Sequence, residues 1–190
     1  MKLEQVPSLE SFEVLIVGLV RNCESSLESE VETLRASFED FKNVSFFLVE
    51  SDSTDGSLEA LRELATRIPN FQFLSLGNLR QSISDRIERI AHCRNAYLDY
   101  VRTTSKKFDY VVVADLDGVN NLLTKEKVAT CWKFDGWSVC TANQTGPYYD
   151  IYALRAPVAV LRQFRYRHCL YHAALHLCLE PLGLYQISHQ

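Results

Sequence analysis

The sequence has no long apolar run, and we expect no secretory leader in its opening segment. No stretch approaches the ~18 apolar residues of a membrane-spanning helix. The opening segment, MKLEQVPSLESFEV, carries glutamates and a proline before its first apolar run, unlike a signal peptide. These absences predict a cytoplasmic chain without a transmembrane helix, and they leave peripheral contact with a membrane open.

Excess positive charge and paired metal-binding cysteines are also lacking. The formal net charge is −4, so we expect no nucleic acid partner. The cysteines are Cys23, Cys93, Cys131, Cys140, Cys169 and Cys178. None of them forms a C-x-x-C pair, which argues against a zinc ribbon or a thioredoxin-like site. Free thiols are therefore favoured over disulfides.

What the sequence does contain is an alternation of apolar runs with amphipathic segments. Strands are predicted at 13–20, 44–50, 71–77 and 110–115, and helices at 24–41, 58–68 and 84–104. Ser25 with Glu28 is a candidate capping box for the first helix, and Ser57 is a candidate cap for the second. The alternation predicts an α/β fold with a mainly parallel central sheet flanked by helices.

The composition changes near residue 158. Residues 1–157 are predicted to form one domain, with two further strands at 136–143 and 148–155. Residues 158–190 contain a single acidic residue, Glu180, and four of the five histidines. We interpret them as a divergent helical tail.

The segment VVVADLDG, 111–118, ends a buried-looking strand with two aspartates. Side chains alternate along an extended chain, so Asp115 and Asp117 should point the same way while Leu116 points back. Two neighbouring carboxylates repel each other, and a hard cation such as Mn²⁺ or Mg²⁺ relieves that repulsion. The alternative is a solvated turn. We favour a metal site because ligands bind at the carboxyl ends of parallel strands.

Two more polar clusters follow strands one and two. Arg21 and Asn22 come after the first strand, and ESDSTDGS, 50–57, comes after the second. Capping and turn formation account for Asp55 to Ser57. Glu50 and Asp52 precede the cap, and their carboxylates are candidates to accept hydrogen bonds from a nucleobase or a ribose.

Arginines mark the third helix. Its apolar stripe runs through Ile87, Ile90, Tyr97 and Val101, and position 94 of that series is arginine. An inward-facing guanidinium needs an anionic partner, and Arg suits a phosphate. The alternative is an Arg that extends to solvent and forms an ordinary salt bridge. Arg86, near the start of the helix, is a second candidate.

Three histidines of the tail, His168, His172 and His176, recur at every fourth residue. On a helix they would share one face, a spacing seen in metal sites. Their surroundings are rich in leucine, so an ordinary helix face or a non-native tail is the favoured interpretation.

With these residues assembled, the chain resembles a GT-A type glycosyltransferase. The motifs VRN, ESDSTDGS, R-x-x-R-I-A-x-C-R-N, VVVADLDG and YYDIYALR together are similar to the capsule-associated α-1,3-mannosyltransferase family and its bacterial and viral relatives. The resemblance covers roughly residues 13 to 156. It implies a Rossmann-like GT-A fold, with a donor-binding domain over residues 1–157.

The resemblance also implies a hexosyltransferase with a nucleotide-sugar donor, such as a GDP- or UDP-sugar, and a carbohydrate acceptor. Asp115 and Asp117 match the D-x-D element that holds Mn²⁺ on the donor diphosphate. The other implied positions are Glu50 and Asp52 for the nucleoside, Arg86 and Arg94 for the diphosphate, and Asp150 for the sugar or acceptor, as a general base. Arg21 and Asn22, in the motif VRN, are further candidates to bind the donor.

The end of the chain departs from that family, in which more sheet and acceptor-side elements follow ALR. We expect a truncated or frameshifted end that spares donor binding and impairs turnover. A nucleotide-binding remnant without turnover is therefore one alternative. A sugar nucleotidyltransferase is another, although the Gly-rich phosphate loop typical of that class is absent after strand one.

Overall fold

The computed structural model describes residues 8–133, 137–141 and 175–178. The helices and strands in chain order are β1 (Glu13–Val20), α1 (Glu24–Ser37), β2 (Asn43–Glu50), α2 (Ser57–Arg67), β3 (Phe71–Ser75), α3 (Arg86–Thr103), β4 (Tyr110–Ala114), α4 (Lys125–Ala129), β5 (Val139–Thr141) and β6 (Leu175–Cys178). Short 3₁₀ turns lie at Leu9–Ser11, Leu79–Gln81 and Thr130–Lys133.

The strands form one sheet in the order β3-β2-β1-β4-β6-β5. Strands β1 to β4 are parallel, and β6 pairs antiparallel with β4 and β5. The predicted α/β fold with a mainly parallel sheet is confirmed. Central β1 is buried on both faces, with Val14 to Val17 fully inaccessible, because helices cover both sides of a parallel sheet.

Two apolar clusters lie on the two faces of the sheet. The larger one joins β1, β2 and β4 to α1 and α2, and it continues into an aromatic group around Tyr110 and Trp132. The smaller one packs α3 against β1 and β2 through Leu15, Phe47 and Tyr97. Phe47 also stacks on Tyr100, with ring centroids 3.8 Å apart.

Both predicted helix caps are wrong, because neither helix begins directly after the residue that was predicted to cap it. Helix α1 begins at Glu24, so Ser25 lies in its first turn, and Glu28 pairs instead with Arg67 on α2. Helix α2 begins at Ser57, after Gly56. The Ser57 hydroxyl accepts a hydrogen bond from the Cys23 backbone N–H at 2.9 Å, just before α1.

The described part of the tail also differs from the prediction. Leu175–Cys178 is a strand, so His176 does not lie on a helix. The strand predicted at 136–143 is shorter, Val139–Thr141. His168, His172 and the strand predicted at 148–155 lie outside the described residues. In the described ranges, no helix is long and apolar enough to cross a membrane.

Candidate functional site: the carboxyl edge of the parallel sheet

Strands β1, β2 and β4 end at the same edge of the sheet. Val20 at the end of β1 is aligned with Glu50 at the end of β2, and Val17 of β1 is aligned with Val113 of β4. The segments that follow these strands, 21–22, 51–56 and 115–120, are therefore neighbours. This is the edge at which ligands bind in open parallel sheets.

The D-x-D segment leaves β4 with its two carboxylates exposed. Asp115 and Asp117 are exposed, whereas Leu116 between them is only 2% exposed and packs in the core. This is the alternation that the sequence predicts. The backbone turns at Gly118 with φ +93°, a left-handed conformation that favours glycine.

A second glycine, Gly18 in β1, allows the end of β4 and the start of the D-x-D segment to pack closely against β1. A Cβ atom at Gly18 would lie 2.5 Å from the carbonyl oxygen of Ala114 and 3.2 Å from Leu116 Cδ1. Sequence reasoning missed this role. The available signal was a lone glycine inside an apolar strand, which often marks a close backbone approach.

In the loop after β2, both candidate carboxylates are buried. Glu50 is 3% exposed; it accepts hydrogen bonds from the Ser53 backbone N–H at 3.0 Å and from the Ser75 hydroxyl. The Asp52 side chain is also 3% exposed, and it accepts a hydrogen bond from the Arg80 N–H at 2.9 Å. These carboxylates stabilise the loop as well as bordering the edge of the sheet.

A cavity of about 250 Å³ opens beside this loop. Its lining residues come from the ends of β2 and β3 and from the segments that follow them: Glu50, Asp52, Ser53, Thr54, Leu58, Ser75, Gly77, Asn78 and Arg80. The cavity offers carboxylate, hydroxyl, amide and guanidinium groups to a polar ligand. Ser75, Asn78 and Arg80 were not among the predicted site residues.

Asn22 joins the first two loops. It adopts φ +50°, and its side-chain oxygen accepts a hydrogen bond from the Thr54 N–H at 2.8 Å. The Asn22 N–H in turn donates to the Ser53 hydroxyl at 3.3 Å. Its side chain thus positions the loop that borders the cavity, while neighbouring Arg21 is exposed.

The prediction that Arg94 faces inward is wrong. Arg94 and Arg86 are exposed, and the packed face of α3 instead contains Cys93 and Tyr97, with Arg89 at its edge. Ile87, counted in the predicted stripe, is 54% exposed. The stripe was therefore misaligned with the buried face.

Arg89 is a cation on α3 whose side chain is mostly buried. Its Nε lies 3.4 Å from Asp52 Oδ2, and the two side chains are only 11% and 3% exposed. Its Nη1 also donates to the carbonyl oxygens of Ile83 and Ser84. This buried ion pair fixes α3 to the loop after β2.

Two thiols beneath the edge have raised pKa values. Burial is the main cause for Cys23, and the nearby carboxylates Asp55 and Asp117 raise its pKa further. Burial also raises the pKa of Cys93, and Asp52 and Glu50 add to that effect. Both thiols should therefore stay protonated at neutral pH.

No group of three or more His, Cys, Asp or Glu side chains suited to a metal ion occurs within the described ranges. Asp115 and Asp117 supply two carboxylates. Any further ligand of a metal ion would have to come from another part of the chain, from a bound small molecule or from water. Asp150 lies outside the described residues.

No family model matches the sequence, and no curated protein matches it. Solved structures do match. One is the mannosyltransferase PcManGT from Pyrobaculum calidifontis in complex with GDP-Man and Mn²⁺, with a TM-score of 0.53 and 17% identity. The match covers 71% of this chain and 36% of that one, so this chain spans about a third of that enzyme's length.

Two other solved structures match with lower TM-scores. The galactosyltransferase LgtC, in complex with donor and acceptor sugar analogs, gives 0.44 at 15% identity, over 87% of this chain and 57% of that one. S. aureus TarS 1–349 gives 0.44 at 17% identity, over 63% of this chain and 31% of that one.

The sheet order and the likeness to the mannosyltransferase define the class of fold. Four parallel strands in the order β3-β2-β1-β4, flanked by helices, have the strand order typical of a Rossmann-like α/β sheet. The fold is that of the GT-A glycosyltransferases.

Proposed function

We propose that the chain is a metal-dependent glycosyltransferase of the hexosyltransferase class. It transfers a sugar from a nucleotide-sugar donor to a glycan or another acceptor, within polysaccharide biosynthesis. The proposal is supported by motifs of this chain that resemble those of the capsule-associated α-1,3-mannosyltransferases. GDP- and UDP-sugars are the donor candidates.

One observation carries this proposal. On a GT-A fold, two exposed carboxylates follow the buried strand β4, at the sheet edge that also bears a polar cavity of about 250 Å³. A diphosphate with its cation and a nucleoside require these two kinds of surface side by side.

The cavity is proposed to hold the nucleoside. Glu50 and Asp52 line it, and a carboxylate oxygen that accepts one hydrogen bond retains a further lone pair for a base or ribose donor. Arg80 and Ser75 line the same cavity and add a guanidinium and a hydroxyl. Arg21 and Asn22, on the adjoining loop, would complete this side of the site.

The donor set at the D-x-D segment fits a hard divalent cation. Asp115 and Asp117 are both exposed, and their carboxylate oxygens are the ligands that Mn²⁺ and Mg²⁺ prefer. When bound, the cation would neutralise charge that develops on the leaving nucleoside diphosphate. Exposed Arg86 and Arg94 on α3 are proposed to contact the diphosphate from the protein side.

The acceptor side rests on Asp150. By the family resemblance, its carboxylate would contact the sugar or remove a proton from the acceptor hydroxyl. The proton would pass to a carboxylate oxygen as the hydroxyl oxygen forms a bond to the anomeric carbon. The bond between that carbon and the diphosphate oxygen would break, and the nucleoside diphosphate would leave with its electron pair.

The proposal is tested by thermal unfolding with GDP-mannose, UDP-glucose and UDP-N-acetylglucosamine, each with and without Mn²⁺. A ligand that binds only the folded chain stabilises it by about 2.7 kcal/mol at 100 times its Kd. We expect at least one donor to raise the melting temperature, and Mn²⁺ to increase the rise. EDTA with donor is the control, and no shift with any donor contradicts the proposal.

Donor hydrolysis separates the transferase from a nucleotide-binding remnant. A glycosyltransferase without acceptor transfers sugar slowly to water and releases nucleoside diphosphate. Binding without such release would support the remnant.

A further inference from the structure

We propose that Glu30 and Asn120 are positioning residues that hold the D-x-D segment in the conformation that presents Asp115 and Asp117 to a divalent cation. This inference rests on the proposed function, since it assigns a support to the same cation site. Neither residue is exposed enough to meet a ligand: Glu30 is 3% exposed and Asn120 is 0% exposed.

Asn120 connects the D-x-D segment to helix α1. Its backbone N–H donates to the Glu30 carboxylate, 3.2 Å from Oε1 and 3.3 Å from Oε2, and its side-chain Nδ2 donates to Oε2 as well. The same Nδ2 donates to the Asp115 carbonyl oxygen at 2.6 Å. The backbone of Asp115 is thus tied through one amide group to a buried carboxylate.

These contacts fix the orientation of the Asn120 amide. A flipped amide would place its oxygen against the Glu30 carboxylate and the Asp115 carbonyl, and two acceptors repel each other. No described residue donates a hydrogen bond to buried Asn120 Oδ1. An unsatisfied buried acceptor costs about 1 to 3 kcal/mol. The Asn120 side chain therefore bonds to Glu30 and Asp115 through Nδ2, while its Oδ1 stays without a hydrogen bond from the described residues.

A second tether lies one helical turn away on α1. The Ser26 hydroxyl donates to the Leu116 carbonyl oxygen at 3.1 Å. Ser26 and Glu30 are four residues apart, so they lie on the same face of the helix. Together they hold the backbone of Asp115, Leu116 and Asn120, while the side chains of Asp115 and Asp117 stay exposed.

A purely structural role explains the pair poorly. A buried carboxylate is costly to desolvate, and well-packed apolar residues are often equally stable or more stable in its place. What an apolar replacement cannot do is accept three hydrogen bonds from one asparagine and so set the path of residues 115–120. The desolvation cost of the Glu30 carboxylate is explained if the pair serves to place Asp115 and Asp117, two carboxylates that repel each other.

The test is Glu30→Gln, which preserves size and replaces one acceptor oxygen by a donor NH₂. We expect Mn²⁺ affinity, measured by the EPR signal of free Mn²⁺ in the presence of GDP or UDP, to fall about 10-fold or more, as for other residues that orient metal ligands. We expect faster hydrogen exchange at the amides of 117–120 in the metal-free protein. Affinity for the nucleotide without Mn²⁺ should stay unchanged.

Glu32→Gln is the matched control, because Glu32 lies on the same helix with an exposed side chain. It should leave Mn²⁺ affinity and loop exchange unchanged. Asn120→Ser is the second variant, in case Glu30→Gln does not fold. It retains the backbone N–H bond to Glu30 and removes the Nδ2 bond to Asp115, so Mn²⁺ affinity should again fall.

The outcomes separate this inference from the proposed function. Mn²⁺ affinity equal to that of the unsubstituted chain in the folded variants overturns the inference alone, even if their melting temperatures fall. Failure of the unsubstituted chain to bind Mn²⁺ with either nucleotide contradicts the proposed function and the inference together.

Discussion

Two acidic segments lie at the same sheet edge and use their carboxylates in opposite ways. In the loop after β2, Glu50 and Asp52 are buried and accept hydrogen bonds from their own surroundings. In the D-x-D segment, Asp115 and Asp117 are exposed, and the backbone is held from below by α1. The carboxylates of the first segment stabilise a wall of the cavity, and those of the second segment carry their negative charge at the protein surface.

The difference shows that the same residue type in similar positions need not have the same role. Asp52 lies beside the Arg89 guanidinium, which compensates its charge inside the protein. Asp117 is exposed to solvent, and its charge can meet an external cation. Burial, rather than residue type, separates the two.

The largest effect is expected from Asp117→Asn. Loss of one cation-binding carboxylate should weaken Mn²⁺-dependent nucleotide binding more than 100-fold, beyond the effect of losing an orienting residue. Stability should barely change, because the side chain is exposed. Calorimetric titration with and without Mn²⁺ measures the loss, with exposed Asp40→Asn as control. Unchanged Mn²⁺-dependent binding would show that the D-x-D segment does not hold the cation.

Asp52→Asn should mainly lower stability, in contrast to Asp117→Asn, which should mainly weaken binding. It preserves an acceptor for the Arg80 N–H and leaves the Arg89 guanidinium without its anion, so the free energy of unfolding should fall by about 3 kcal/mol. Urea denaturation measures it. The control is Asp99→Asn, since Asp99 pairs with Arg102 at the surface and surface pairs contribute little. Equal losses in the two variants would contradict the contrast between buried and exposed pairs.

The two segments also differ at a neighbouring glycine, Gly18 near the D-x-D segment and Gly77 near the loop after β2. Gly18→Ala should lower stability by about 2 kcal/mol, because its Cβ would lie too close to the Ala114 carbonyl beneath the D-x-D segment. Gly77→Ala, beside the other loop, has open space but a φ of +63°, so it should cost only about 1 kcal/mol. Chemical denaturation ranks the two, and a reversed ranking would contradict the close approach at Gly18.

The smallest effect concerns thiol reactivity. The hydrogen bond between Cys140 and Cys131, with Sγ atoms 3.0 Å apart, lowers the pKa of Cys140 to about 7. Its thiolate fraction should therefore rise through one half near pH 7. Burial raises the pKa of Cys93 beneath the loop after β2, so Cys93 should stay protonated and protected.

Peptide mapping after iodoacetamide treatment at pH 6 to 8 measures these rates. Cys140 should react about 10-fold faster than Cys93 at pH 7, because the thiolate is the nucleophile. Cys131→Ala should move the inflection of Cys140 to higher pH. Fast alkylation of Cys93 would show that the loop after β2 opens readily.

The strands and helices of residues 13–114 were predictable because their signals are local. Apolar runs such as EVLIVGLV become central strands, and each predicted strand and helix occurs within a few residues of its expected bounds. The exposed positions of Asp115 and Asp117 were also predictable, since alternation in an extended chain is a local rule.

The contacts of the site were not predictable in the same way. Arg94 rather than Arg89 was expected to face inward, because a count of apolar residues included exposed Ile87 and overlooked Cys93. The alignment of a helix on a sheet depends on which residues the sheet can accommodate. The start of α1 was not predictable for a related reason, because the Cys23 and Glu24 N–H groups donate to Ser57 and Asp55, which lie 34 and 31 residues away along the chain.

Hydrophobic periodicity and strand direction are local properties, so the alternation of elements, the parallel sheet and the two acidic segments at its edge follow from the order of the residues. Which carboxylates are buried and which are exposed depends on contacts between elements in the folded chain. Those contacts involve Arg89, Gly18, Ser26 and Glu30. These residues belong to other helices and strands, far along the chain from the two acidic segments, and folding alone brings them into contact with those segments.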